Sequence, residues 1–243
     1  MKILKNITVF TMVMLLSVST VLEAREKNIS NFSSSASNLV DSTGTFDGNK
    51  IYADVANNGL FLDYHVSGDS ALEWPKGTGV HSIFQSALWM GATVNGSIRT
   101  IVGDYTQDMG PGPWGGDPLA AVHRIYKVEK SMLASPLDFA DFQEWPVEFG
   151  APWVDVDGDG VYTPLPGGTD HPEFLGDQVL WFVSNDGDPA YKLNFGTSPM
   201  NVEIQTTMFG FDRPDVFGDM VFLKQLVINK GSDDLVDTYM GLW

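Results

Sequence analysis

At 243 residues the chain is long enough to bury a full hydrophobic core, and its 14 basic against 31 acidic side chains give a formal charge of −17. Such a field repels polyanions, which makes nucleic acid and anionic membrane surfaces poor partners and leads to the expectation of no nucleic-acid binding. Cysteine is absent, so neither a disulfide nor a thiolate metal site is available to stiffen the fold.

The chain opens MKILKNITVFTMVMLLSVSTVLEAREKN, with Lys2 and Lys5 ahead of an apolar stretch from Ile7 to Val18 and Ala24 at a cleavage position. This pattern reads as a secretory signal peptide over residues 1–24, although Leu22 is larger than the small residue preferred three places before a cut. It predicts a protein that is secreted or held on the outer cell surface, with no transmembrane segment beyond the leader. Export makes the missing cysteines informative, because an oxidising compartment would permit disulfides that this chain does not use. Residues 25–48 are polar and serine-rich and read as a linker.

From residue 49 to 243 short apolar runs are punctuated by Gly, Pro, Asn and Asp, with no long stretch at helical period. The pattern predicts one all-β domain, an antiparallel β-sandwich of jelly-roll or immunoglobulin-like type with long loops. The segment ALWMGATVNGSIRTIVGD predicts a hairpin turning at Asn95-Gly96, with Phe84, Leu88, Met90, Ala92 and Val94 on one face. Gln107 to Pro118, QDMGPGPWGGDP, has too much Gly and Pro to continue a strand, and reads as a long loop with Trp114 near its tip. In SPLDFADFQEW the spacing of Leu137, Ala140 and Phe142 behind Ser135 predicts a short capped helix.

The stretch DVDGDGVYTP that follows places Asp155, Asp157 and Asp159 at alternate positions before Gly160. Calcium takes six to eight oxygen ligands, and alternate carboxylates bent around a glycine aim several of them at one point, with the Val161 carbonyl as the backbone ligand. The first half of an EF-hand-type loop is therefore present. The second half is not: Pro166 stands where such a loop places its bidentate acid, and Pro152, Pro164 and Pro166 argue against flanking helices. The closing ligand must come from downstream, where Asp170, Glu173 and Asp177 are the candidates. A solvated acidic turn is the plain alternative, since Asp and Gly are ordinary turn residues.

Two further runs, QVLWFVSND and MVFLKQLVINKG, are apolar on both faces and predict central strands. Between them NVEIQTTMF alternates Val202, Ile204, Thr206 and Met208 against Glu203, Gln205 and Thr207, the pattern of a half-buried strand. SNDGDP, with Asn185, Asp186 and Asp188, reads as a turn, or as an acidic knot sharing the ion of the first loop. SDDLVD reads as a hairpin connection that begins at Lys230-Gly231.

No serine-nucleophile elbow, phosphate-cradling glycine loop or HExxH helix occurs in the sequence. His65, His81, His123 and His171 stand far apart, without the paired spacing of zinc ligands. Many carboxylates are present, and nothing picks out a glycosidase pair. Of seven tryptophans, Trp89 and Trp181 lie inside apolar strands and read as core. Trp114 and Trp74 lie in loops and are the candidate platforms for stacking a sugar ring.

The series LEWPKGTGVHSIFQSALWMGATVNG, APWVDVDGDGVYTP, FLGDQVLWFVSNDGDP, EIQTTMFGFDRP and MVFLKQLVINKGSDDLVDTYMGLW resembles the N-terminal region of large secreted proteins of Bacteroidetes-like bacteria. Those proteins commonly end in a type IX secretion sorting domain. The resemblance covers roughly residues 49–243 and implies export, with no activity to transfer. The family pattern continues beyond Trp243, which leads to the expectation of a C-terminal truncation. The reading that results is a secreted, noncatalytic β domain stiffened by calcium, whose partner is an extracellular glycan or another surface protein. The alternative is a carbohydrate-binding module or extracellular glycan hydrolase domain.

Overall fold

Apolar residues at alternate positions, interrupted every few residues by Gly, Asn or Pro, form strands that are mostly short and antiparallel throughout. The computed structural model describes residues 43–65, 67–165 and 170–243. The segment 1–24 read as a signal peptide and most of the 25–48 segment lie outside them. β1 (Thr43–Phe46) nevertheless falls within the segment read as linker, and its Phe46 is fully buried, so folded structure begins earlier than residue 49.

β1 pairs with β2 (Tyr52–Ala56), which continues through β3 (Leu72–Glu73) to β4 (His81–Ile83). β5 (Leu88–Val94) and β6 (Ser97–Val102) form the predicted hairpin, with Val94 opposite Ser97 and positive φ angles of 50° and 77° at Asn95 and Gly96. Leu88, Met90, Ala92 and Val94 share the buried face of β5. Phe84 does not join them: it precedes the strand and is exposed, stacked on Tyr64.

β7 (Gly110–Pro111) is a two-residue strand inside the segment read as loop, and pairs with the end of β11. β8 (Tyr126–Glu129) pairs with the start of that same strand. The predicted helix is broken. Pro136–Asp138 is a 3-10 turn, Phe139 is extended, and only Ala140–Gln143 forms helix α1, without a side-chain cap from Ser135. Of its expected apolar face Phe142 is buried, while Leu137 is exposed. β9 (Trp153–Val154) and β10 (His171–Pro172) form a two-stranded ribbon.

β11 (Gln178–Asn185), β12 (Val202–Gly210) and β13 (Val221–Asn229) build the main sheet in the order β13-β12-β11-β7. All eight residues of β11 are buried. Leu180 and Phe182 enter one apolar cluster, with Phe46, Met90 and Ile204; Val179, Trp181 and Val183 enter a second, with Tyr126, Phe142 and Trp145. A sheet sandwiched between two clusters explains why β12, read as half-buried, hides Glu203 and Thr207 as well as Ile204 and Met208. β13 carries the same two-faced apolar pattern, yet among the described residues it stands at the edge of the sheet with Leu226 exposed.

β14 (Val236–Leu242) corrects another expectation. SDDLVD does not close a hairpin: β14 leaves β13 and pairs with β5 in a separate three-stranded sheet. Trp89, read as core, points outward on β5, where its indole N–H donates to the Gly103 carbonyl and its ring stacks on Trp243. Among the described residues no helix is long and apolar enough to cross a membrane.

Candidate metal centre and ligand cavity

The β9–β10 ribbon decides where the aspartate loop closes. Val154 pairs with His171, so the chain that leaves β9 at Asp155 returns to β10 at Asp170, eleven residues after Asp159. One carboxylate oxygen from each of Asp155, Asp157, Asp159 and Asp170 lies within 4.8 Å of the others. Asp170 is 1% exposed and is fixed by two backbone donors, the Val156 N–H at 2.9 Å and the Thr163 N–H at 2.7 Å. The other three are exposed.

Backbone N–H groups turn each carboxylate inward. Gly158 and Gly160 donate to the two oxygens of Asp155 at 2.7 and 2.9 Å, Asp159 donates to Asp157, and Val161 donates to Asp159. Gly158 and Gly160 sit at φ of 79° and 76°, a region that a side chain disfavours. The Asp159 N–H favours the ionised form of Asp157, but desolvation and the carboxylates of Asp159, Asp170 and Asp155 outweigh it and hold that carboxyl above its ordinary range. The loop is seated on the second apolar cluster through Trp153 and Tyr162, whose rings meet edge to face at 5.6 Å, and the Tyr162 hydroxyl donates to the Phe142 carbonyl. Burial and Asp170 push the Tyr162 phenol well above its usual range.

Of the downstream candidates, Asp170 stands with the three alternate aspartates and Asp177 does not. Asp177 faces Lys130 and accepts the Asp212 N–H, in a separate polar groove with Glu129 and Gln178. Glu173 lies beyond the ribbon, its N–H bonded to the Pro152 carbonyl. Val161 is exposed in the turn, and its carbonyl accepts the Thr163 hydroxyl at 3.4 Å. Pro166 lies outside the described residues.

Trp114 lies far along the chain from this loop and forms a wall of a cavity of about 370 Å³, with Pro111, Pro118, Asn185, Asp188 and Tyr191. The loop that carries it is rigidly held. The Trp114 N–H donates to buried Glu203 at 2.9 Å, and the Asn185 amide donates to the Gly112 and Pro113 carbonyls. The indole edge lies so close to Gly187 that an added Cβ would sit 2.6 Å from Nε1. Trp114 remains 43% exposed, which leaves ring surface for contact. Trp74 is equally exposed, but its Nε1–H is tied to Asp219 at 3.0 Å, beside the Lys50–Asp219 ion pair. Among the histidines His123 is buried beneath the Gly112 turn and His65 contacts Asp63.

SNDGDP does not join the aspartate loop. Asp186 is fully buried and accepts the N–H groups of Met200 and Val202 at 2.7 and 2.8 Å, while Asp188 caps a 3-10 turn through the Ala190 N–H. Lys192 and Asp108, which sequence reasoning passed over, are buried beside Asp186. Comparison with known proteins yields no match among family models, curated proteins or solved structures.

Proposed function

We propose that the chain is an exported, noncatalytic β domain whose aspartate loop holds a structural calcium ion. The observation that carries this reading is the convergence of four carboxylate oxygens within 4.8 Å on a ribbon that returns Asp170 to the turn. Four hard oxygens from one short segment leave room for carbonyls and water, the mixture that calcium accepts and octahedral magnesium accepts less readily. The ion relieves the repulsion that raises Asp157, and it ties β9 to β10 in a chain without disulfides.

Calcium at about a hundred times its dissociation constant is expected to add about 2.7 kcal/mol, a rise in melting temperature of roughly 5–11 °C for a domain of this size. Asp157→Ala removes the response. A folded sample whose melting point is the same in chelator and in calcium would overturn the reading.

The pH dependence has a definite sign. A carboxyl whose folded pKa is raised favours the folded chain below its unfolded pKa, and loses that contribution as pH rises through the folded value. Without calcium the loop is thus least strained in acid, and protons compete with the ion there. The calcium-induced rise in melting temperature is expected to shrink as pH falls from 7 towards about 4, as calorimetry with and without chelator would read.

The Trp114 cavity favours a second reading, binding of a neutral glycan. An indole face covers the apolar C–H face of a pyranose, and the Asp188 carboxylate accepts from its hydroxyls. Because the loop is held by Glu203 and Asn185, little order is lost on binding. Retention on gels carrying neutral polysaccharides is expected to fall to that of an inert control in Trp114→Ala. A glycan panel that never retards the wild type would end this reading.

A further inference from the structure

The side chains of Lys192, Asp108 and Asp186 are 2%, 0% and 0% exposed, with the Lys192 Nζ 2.9 Å from Asp108 Oδ2 and 3.8 Å from Asp186 Oδ2. They come from three separate pieces of chain. Asp108 stands two residues before β7, Asp186 immediately follows β11, and Lys192 ends the 3-10 turn Pro189–Tyr191. We propose that Lys192 and Asp108 condense in the folded chain to an intramolecular isopeptide bond, with Asp186 as the carboxyl that carries the proton.

An ordinary ion pair accounts for the 2.9 Å contact but leaves one buried ammonium facing two buried carboxylates. Full burial of such charges is poorly compensated by their attraction. The alternative is neutralisation, and a neutral amine beside a neutral carboxylic acid is the reactant pair for an amide. Burial pushes the carboxyls of both Asp108 and Asp186 upward, against the opposing pull of Lys192 and of their backbone donors. Fixed contact replaces the encounter of two separate reactants.

The surroundings suit the reaction. The Asn194 N–H donates to Asp108 Oδ1 at 3.1 Å and the Val102 N–H to Oδ2 at 2.8 Å, so the carboxyl is polarised and charge developing on oxygen meets fixed donors. The Thr100 carbonyl accepts from Nζ and holds it against the carboxyl. Met200 and Val202 anchor Asp186 through their N–H groups. Burial also withholds the water that hydrolysis of the finished amide would require.

The balance is that of a simple condensation. Proton transfer within the pair gives an amine at Lys192 and an acid at Asp108. Nζ attacks Cγ, and Asp186 takes a proton from the nitrogen and returns one to the departing Oδ2. One N–C bond forms, one C–O bond breaks, one water leaves, and Oδ1 remains as the amide oxygen. No oxidant, metal or cofactor enters. The product links positions 84 residues apart and gives a cysteine-free chain a covalent staple.

Denaturing mass spectrometry of the full chain, with its N-terminus defined by peptide sequencing, is expected to read one water less than the sequence mass. Proteolysis is expected to yield a branched peptide joining Lys192 to Asp108. Lys192→Met is expected to restore the sequence mass, and Asp186→Asn, which keeps the shape, to lower the branched fraction at least tenfold. Succinimides at Asp47-Gly48, Asp157-Gly158, Asp159-Gly160 or Asp186-Gly187 would also lose a water. A deficit mapped to one of those without a branched peptide overturns the proposal, as does a folded wild-type chain at its full sequence mass. An unchanged branched fraction in Asp186→Asn overturns the role given to Asp186.

Discussion

Lys192→Met is expected to lower folding stability by about 3–5 kcal/mol at neutral pH, the usual cost of removing one partner from a buried ion pair. Methionine matches the lysine stem in length and apolar character, so the change isolates the loss of Nζ from a loss of packing. What remains is a pair of fully buried carboxylates, Asp108 and Asp186, without the ammonium that faced both, and a Thr100 carbonyl without its lysine donor. That figure holds against the chain before condensation; against the condensed chain, in which Lys192 and Asp108 are joined as an amide, the lost link between residues 84 apart adds to the deficit, because a longer closed loop restricts the unfolded chain more.

The deficit depends on pH in a direction fixed by the burial of Asp108 and Asp186. Both carboxyls are raised in the folded wild type before condensation, and removing the cation raises them further. A raised carboxyl contributes to stability below its unfolded pKa, and that contribution is lost as pH rises through the folded value. Chemical denaturation of Lys192→Met is therefore expected to approach the uncondensed wild type near pH 4 and to fall furthest behind it at pH 7 and above. Adding Asp108→Asn to Lys192→Met is expected to recover part of the loss, since only one carboxylate then remains. A neutral-pH deficit below about 1 kcal/mol would contradict the charge argument, because it is no more than the median of an exposed surface pair.

The elements that were legible in the sequence are those whose signal is local. Asn95-Gly96 fixes its own turn through backbone conformation, and β11 announces burial on both faces by an unbroken apolar run. β13 carries the same signal and nevertheless stands at a sheet edge among the described residues, because a residue pattern reports what could be covered and not whether a neighbour arrives. Asp155, Asp157 and Asp159 were readable for the same local reason, and Asp170 came into view only as one of three downstream acids. What separates it from Asp177 is the β9–β10 pairing, which two short strands containing Pro172 do not advertise. Asp186 was hidden by its company. Asn-Asp-Gly-Asp-Pro is turn composition, and its burial is imposed by β7, by the Met200 segment and by Lys192, all distant in sequence.

Trp181→Ala is expected to cost about 3–5 kcal/mol, the range for deleting a large buried aromatic, or roughly 6–20 °C in melting temperature. Trp181 is 1% exposed, on β11 between β8 and β12, and its ring lies 6.5 Å from that of Trp145. The cavity would open within the cluster formed with Tyr126, Val128 and Phe142, on which Trp153 and Tyr162 rest. Tyr162 hangs from the Phe142 carbonyl, so the floor of the aspartate loop and the core of the main sheet are one packed unit. The same substitution is therefore expected to weaken calcium binding, although residue 181 offers no oxygen to the ion. Leu226→Ala, at an exposed position of edge strand β13, serves as the control and is expected to shift stability by less than about 0.5 kcal/mol. Titration calorimetry of both variants at a temperature where each is folded would separate the effects. Unchanged calcium affinity in Trp181→Ala would mean that the ribbon holds its carboxylates without support from the sheet beneath.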